Sequence, residues 1–178
     1  MKKWEILSSD KIINNKWLTV EKQSCRTGNG KTINDYYIVG KKNYVVLVIE
    51  DGGGIFFAEQ YRHGAGEIML NLPMGVVDDG ETKEESARRE MLEETGYEPQ
   101  SLDFLGNFFP APAFMPAKAH VFYTNKIIKK SKAKSDDEEE IRLVKIPKSM
   151  IKTMIEKNEI KDISSVAAIY LAKSKGVL

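Results

Sequence analysis

The sequence predicts an α/β fold, a mixed β-sheet with helices packed on it. Three observations carry this. Short alternating or fully apolar stretches, the marks of strands, recur between residues 17 and 62. One helix with its own start and stop signals is inserted near 82–96, and two amphipathic stretches close the chain at 147–160 and 163–175. Strands first, helices inserted and then terminal, is the pattern of a sheet covered by helices.

The elements follow in order. WLTVEK at 17–22 and DYYIVG at 35–40 alternate, and TGNGK at 27–31 between them is a turn signal, so they form a hairpin. YVVLVIE at 44–50 is a buried strand, and DGGG at 51–54 turns it into IFFAEQYR at 55–62 as a second hairpin. FLGNFF at 104–109, AHVFYT at 119–124 and IRLVKI at 141–146 are further strands, with a polar segment at 125–140 before the last. No repeat of solenoid period is present.

Composition excludes several classes. The 178 residues suffice for one domain with a core, and 42% apolar content is that of a globular protein. A net charge of +1 gives no electrostatic basis for nucleic-acid or anionic-membrane binding. The one cysteine, Cys25, forms no intrachain disulfide, which fits a reducing compartment. The opening MKKWEILSSDKIINNKW has no apolar core of a signal peptide, and the longest apolar run, YVVLVI at 44–49, is too short for a bilayer. A cytoplasmic protein without membrane or nucleic-acid partners is expected.

The stretch GVVDDGETKEESARREMLEETGY, residues 75–97, carries the chemistry. Thr82 and Glu85 read as a capping box and Gly96 as a stop, with Ala87, Met91 and Thr95 as an inner stripe. Glu90, Glu93 and Glu94 then share one surface in the last turns. Like charges at that spacing cost about 0.2–0.5 kcal/mol per pair, and the helix dipole disfavours anions there. A bound cation reverses both signs. Oxygen-only donors favour Mg²⁺ or Mn²⁺ over zinc. Gly75 and Gly80 sit before the helix, where a positive φ or a close approach is expected. Arg89 is placed to hold a carboxylate in position.

Taken together, Gly75, Glu81, Arg89, Glu90, Met91, Glu93, Glu94, Gly96 and Tyr97 match every required position of the Nudix box. The resemblance implies a Nudix-type α/β/α sandwich with an N-terminal β-hairpin region and a metal-dependent pyrophosphohydrolase. It implies that Glu90, Glu93 and Glu94 bind Mg²⁺ or Mn²⁺ with help from a Gly75-loop carbonyl, and that Arg89 orients a glutamate. EQYRHG at 59–64, Pro112 lying 15 residues beyond Tyr97, and the strand and two helices that end the chain resemble the ADP-ribose and nucleotide-sugar pyrophosphatase branch. That branch implies ADP-ribose as substrate, AMP and ribose 5-phosphate as products, and a homodimer swapping N-terminal strands. Residues 1–42 are then the swap segment and 43–178 the Nudix domain. Asn71 and Met74 depart from it, since glutamate and alanine are usual there.

Several assignments stay open. The base of such enzymes often comes from a loop after the box; Glu139 of the run Asp136–Glu140 is the first choice, against a solvated charge run. Arg62 is either a bidentate phosphate ligand or a structural ion pair. Tyr61, Phe108, Phe109 and Phe114 are either stacking surfaces for a base or core residues. Lys129, Lys130, Lys132 and Lys134 either guide an anion or form a solvated loop. His63 reads as a loop cap and His120 as packing. The rival functions are hydrolysis of a GDP-sugar, NADH or an oxidised nucleoside triphosphate, and a non-catalytic ADP-ribose sensor, which the complete carboxylate set disfavours.

Overall fold

The computed structural model describes residues 1–40, 42–131 and 140–178. They form strands β1 (Glu5–Asn14), β2 (Thr19–Arg26), β3 (Thr32–Gly40), β4 (Tyr44–Asp51), β5 (Gly54–Arg62), β6 (Glu67–Asn71) and β7 (Met74–Val76). Helix α1 (Lys83–Thr95), β8 (Tyr97–Pro99), β9 (Asp103–Phe108), β10 (Ala119–Thr124), β11 (Ile127–Lys129), β12 (Ile141–Pro147), α2 (Lys148–Glu156) and α3 (Ile163–Ser174) follow.

The chain divides into two compact units: residues 1–42 with 109–118, and residues 43–108 with 119–178. In the first, β1, β2 and β3 form an antiparallel meander in that order. The β2–β3 hairpin turns at the expected TGNGK, where the Thr27 hydroxyl accepts from the Lys31 N–H at 3.0 Å. β1 is an additional strand whose ten residues are all exposed. Two register shifts break it, so it never shows a clean two-residue alternation. Segment 109–118 joins this unit through the Val39 N–H, which donates to the Phe114 carbonyl at 2.8 Å.

The second unit is a mixed sheet in the order β12-β5-β4-β10-β9, with β6 on β5 and β7 on β4. β4 and β10 run parallel and the other pairs antiparallel. The expected β4–β5 hairpin pairs only at its tip, through Glu50 with Ile55 and Asp51 with Gly54; beyond it each strand takes other partners. β4 is apolar on both faces because both are covered. Val45, Leu47 and Ile49 pack with Ala87 and Met91 of α1, while Val46 and Val48 pack with Ile151 of α2 and Ala168, Ile169 and Ala172 of α3. This is an α/β/α sandwich. Burying Met91 contributes about 1.5–3 kcal/mol, which fixes α1 on the sheet. Among the described residues no helix is long and apolar enough to cross a membrane.

Candidate active site

Helix α1 carries the site. Thr82 is its N-cap: the Glu85 N–H donates to the Thr82 hydroxyl at 3.2 Å and the Thr82 N–H to the Glu85 carboxylate at 2.8 Å. The Thr82 N–H and then its hydroxyl, both donating to the carboxylate, hold the Glu85 carboxyl below its ordinary range. Gly96 ends the helix in the left-handed region, with φ 72°. Of the two glycines before the helix, Gly80 takes the positive φ, 85°. Gly75 serves close approach: it lies in strand β7 rather than a loop, and a Cβ there would fall 1.9 Å from the Glu90 carboxyl carbon.

Arg89 organises the carboxylates. Its Nε and Nη2 donate to the two Glu81 oxygens at 2.9 and 3.0 Å, a bidentate fork. Nη1 donates to both Glu90 at 2.7 Å and Glu93 at 3.0 Å, and Nη2 also reaches the Val76 carbonyl at 2.9 Å. The Glu81 fork raises the guanidinium pKa above its ordinary value and holds Glu81 below its own. Glu90 moves the other way: burial pushes its carboxyl up, and Arg89 offsets only part of this. Glu94 is buried and Glu93 half-exposed, at 47% of its side chain.

The donor set fits a hard divalent cation. All donors are carboxylate oxygens, and the Glu90 carboxyl sits in a cradle that any side chain at 75 would fill. Among the described residues no three acidic, histidine or cysteine side chains already converge for an ion; Arg89 bridges Glu90 and Glu93 instead. The resemblance implied that Arg89 orients a glutamate, and in the structure it ties three.

The C-terminal end of α1 has no basic residue in its last turn. The cation comes from elsewhere. Lys129 of β11, the strand paired with β8, donates from Nζ to the Thr95 carbonyl at 2.9 Å and lies 4.2 Å from the Tyr97 ring centroid. The Lys130 and Ser131 N–H groups donate to the Gly96 carbonyl at 2.9 and 3.1 Å.

The other expected residues are placed less uniformly. Arg62, half-buried at the end of β5, donates from Nε to the Asn71 Oδ1 at 3.4 Å. Among the described residues no carboxylate pairs with it. Tyr61 is exposed, on the opposite face of β5 from Arg62, with its ring edge toward His63. Pro112 lies in the first unit, in a turn closed by the Phe114 and Met115 N–H groups on the Ala111 carbonyl. Phe108, Phe109 and Phe114 are partly exposed rather than core. His120 packs against Phe104. Glu139, with the rest of 132–139, lies outside the described residues; Glu140 is exposed.

Helix-borne glutamates tied by one arginine, beside a glycine that admits a carboxyl, define a Nudix hydrolase. The chain belongs to the Nudix family: the family model of the NUDIX domain matches residues 41–161, and that of the nucleoside diphosphate sugar hydrolase N-terminal domain matches 4–39. The chain is 24% identical to an ADP-ribose pyrophosphatase of Bacillus subtilis (strain 168) over 173 residues, covering 97% of this chain and 94% of that one. It is 29% identical to a GDP-mannose pyrophosphatase of Yersinia enterocolitica over 154 residues, 85% of this chain and 76% of that one. A crystal structure of an ADP compounds hydrolase superposes with a TM-score of 0.86 at 22% identity, over 100% of this chain and 98% of that one, which establishes the fold.

Proposed function

We propose that this protein hydrolyses ADP-ribose to AMP and ribose 5-phosphate. The observation that carries the chemistry is Glu90 seated against Gly75 and tied with Glu93 by Arg89, itself held by the Glu81 fork, with Glu94 in the same turns of the helix. A pyrophosphatase of the nucleotide-sugar branch is the coarser conclusion; ADP-ribose is favoured by the coverage of the Bacillus relative.

Glu90, Glu93 and Glu94, with Gly75, would hold Mg²⁺ or Mn²⁺, which neutralises the diphosphate and acidifies a water when bound. The chain's own residues do the rest. Arg89 fixes the directions of Glu90 and Glu93. Arg62 takes a phosphate oxygen through its guanidinium. Glu139 accepts the proton as water adds to one phosphorus and the bond to the bridging oxygen breaks, leaving two monophosphates. Such a base contributes about 10²–10⁴-fold. The protein acts as a homodimer, a reading supported by the exposed Trp4, Ile6, Ile12 and Trp17 of the first unit; a monomeric mass by light scattering would remove it.

The test is product analysis with Mg²⁺ on ADP-ribose, ADP-glucose, GDP-mannose, NADH and 8-oxo-dGTP, with Glu93→Gln and Glu94→Gln beside the wild type. AMP and ribose 5-phosphate from ADP-ribose, lost in both variants, is the expected result. Turnover of GDP-mannose alone would move the substrate toward that of the Yersinia relative. Tight ADP-ribose binding without any turnover would make the protein a sensor.

A further inference from the structure

The residue that departs most sharply from the branch, Asn71, is also the one whose chemistry is least explained by packing. It is 1% exposed, and its Nδ2 has no hydrogen-bond partner among the described residues. A buried, unmatched donor is destabilising. An apolar side chain would avoid that cost. Its bond to Arg62 gives the amide a use.

Strand geometry places this bond. Phe56 of β5 packs in the cluster that includes Ala87 and Met91 of α1, so Ala58, Gln60 and Arg62 share that face. Asn71 stands directly opposite Ala58 in the β5–β6 pair and faces the same way. Arg62 lies four residues beyond Ala58, about 13 Å along the strand. Its side chain therefore folds back over the α1 side of the sheet to bring Nε to Asn71 Oδ1. The backbone beside Asn71 is pinned as well: the Leu72 N–H donates to the Ser165 hydroxyl at 2.8 Å.

We propose that Asn71 is a positioning residue that holds the Arg62 guanidinium on the α1 face of the sheet without neutralising it, so that Arg62 anchors a phosphate of a nucleoside diphosphate. The proposal rests on the hydrolase reading above and deepens it. A carboxylate at 71 would hold the same geometry but cancel the charge. An amide accepts from Nε and leaves the two Nη groups and the full charge to a ligand oxyanion, the geometry in which arginine binds phosphate in a bidentate way.

The experiment is ADP binding by calorimetry in metal-free buffer, which needs no turnover. Asn71→Asp and Asn71→Ala are measured alone and in the Arg62→Ala background. Asn71→Asp should weaken ADP about tenfold and Asn71→Ala about threefold, the worth of one charge-assisted bond or part of it. Both effects should vanish once Arg62 is gone, which a packing defect would not do. Should Asn71→Asp not fold, the Asn71→Ala cycle decides alone. Unchanged affinity in the Asn71 variants, equal losses with and without Arg62, or no ADP binding by the wild type would overturn the proposal. Failure of the substrate panel with this cycle intact would reject hydrolysis while leaving the anchor standing.

Discussion

The two ends of α1 obey opposite rules. At its start, Thr82 and Glu85 satisfy each other's backbone, and Glu84 and Glu85 complement the positive end of the dipole. The cap and these two glutamates lower the energy of the helix. At its far end Glu90, Glu93 and Glu94 crowd the last turns where anions are disfavoured. The structure offsets this with two cations that do different work: Arg89 between Glu90 and Glu93, and Lys129 on the Thr95 carbonyl. On the proposed function, one end serves stability and the other a cation, and substitutions separate the two.

Gly75→Ala should have the largest effect. Its Cβ would overlap the Glu90 carboxyl and move it by an ångström or more, costing about 10²-fold in kcat; steady-state kinetics beside circular dichroism would check that the fold survives. Arg89→Lys comes next. Lysine cannot reproduce the fork to Glu81 together with the bonds to Glu90 and Glu93, so activity should fall about 10–100-fold and the Mg²⁺ requirement should rise. At the other end, Thr82→Ala should cost about 1 kcal/mol in urea unfolding with kcat nearly unchanged. Lys129→Met should cost about 0.3–1 kcal/mol, diminishing in high salt. A large kcat loss in Thr82→Ala would erase the contrast between the ends.

Much of this contrast is legible in the sequence because it is local. The capping box, the Gly96 stop, the inner stripe and the carboxylate spacing all lie within one stretch of helix. Close approach at Gly75 is legible too, as one of two uses a glycine has; only the structure assigns it there and the positive φ to Gly80. What escapes reading is non-local or short. Lys129 reaches Thr95 from 34 residues away. Strands β7, β8 and β11 have three residues each, too few to show a period. β1 hides because both its faces are exposed and its register shifts twice. Asn71 was visible as a departure, but its bond to Arg62 depends on how β5 and β6 pair.

The most direct test of the account is thermal unfolding of the metal-free protein, titrated with Mg²⁺, for the wild type and Glu93→Gln. A ligand of the native state stabilises by about 2.7 kcal/mol at a hundredfold excess over its Kd. A saturable rise in Tm is expected for the wild type, largely lost in Glu93→Gln. No rise in the wild type, or an equal rise in both, would contradict the claim that the crowded end of α1 is built to hold a cation.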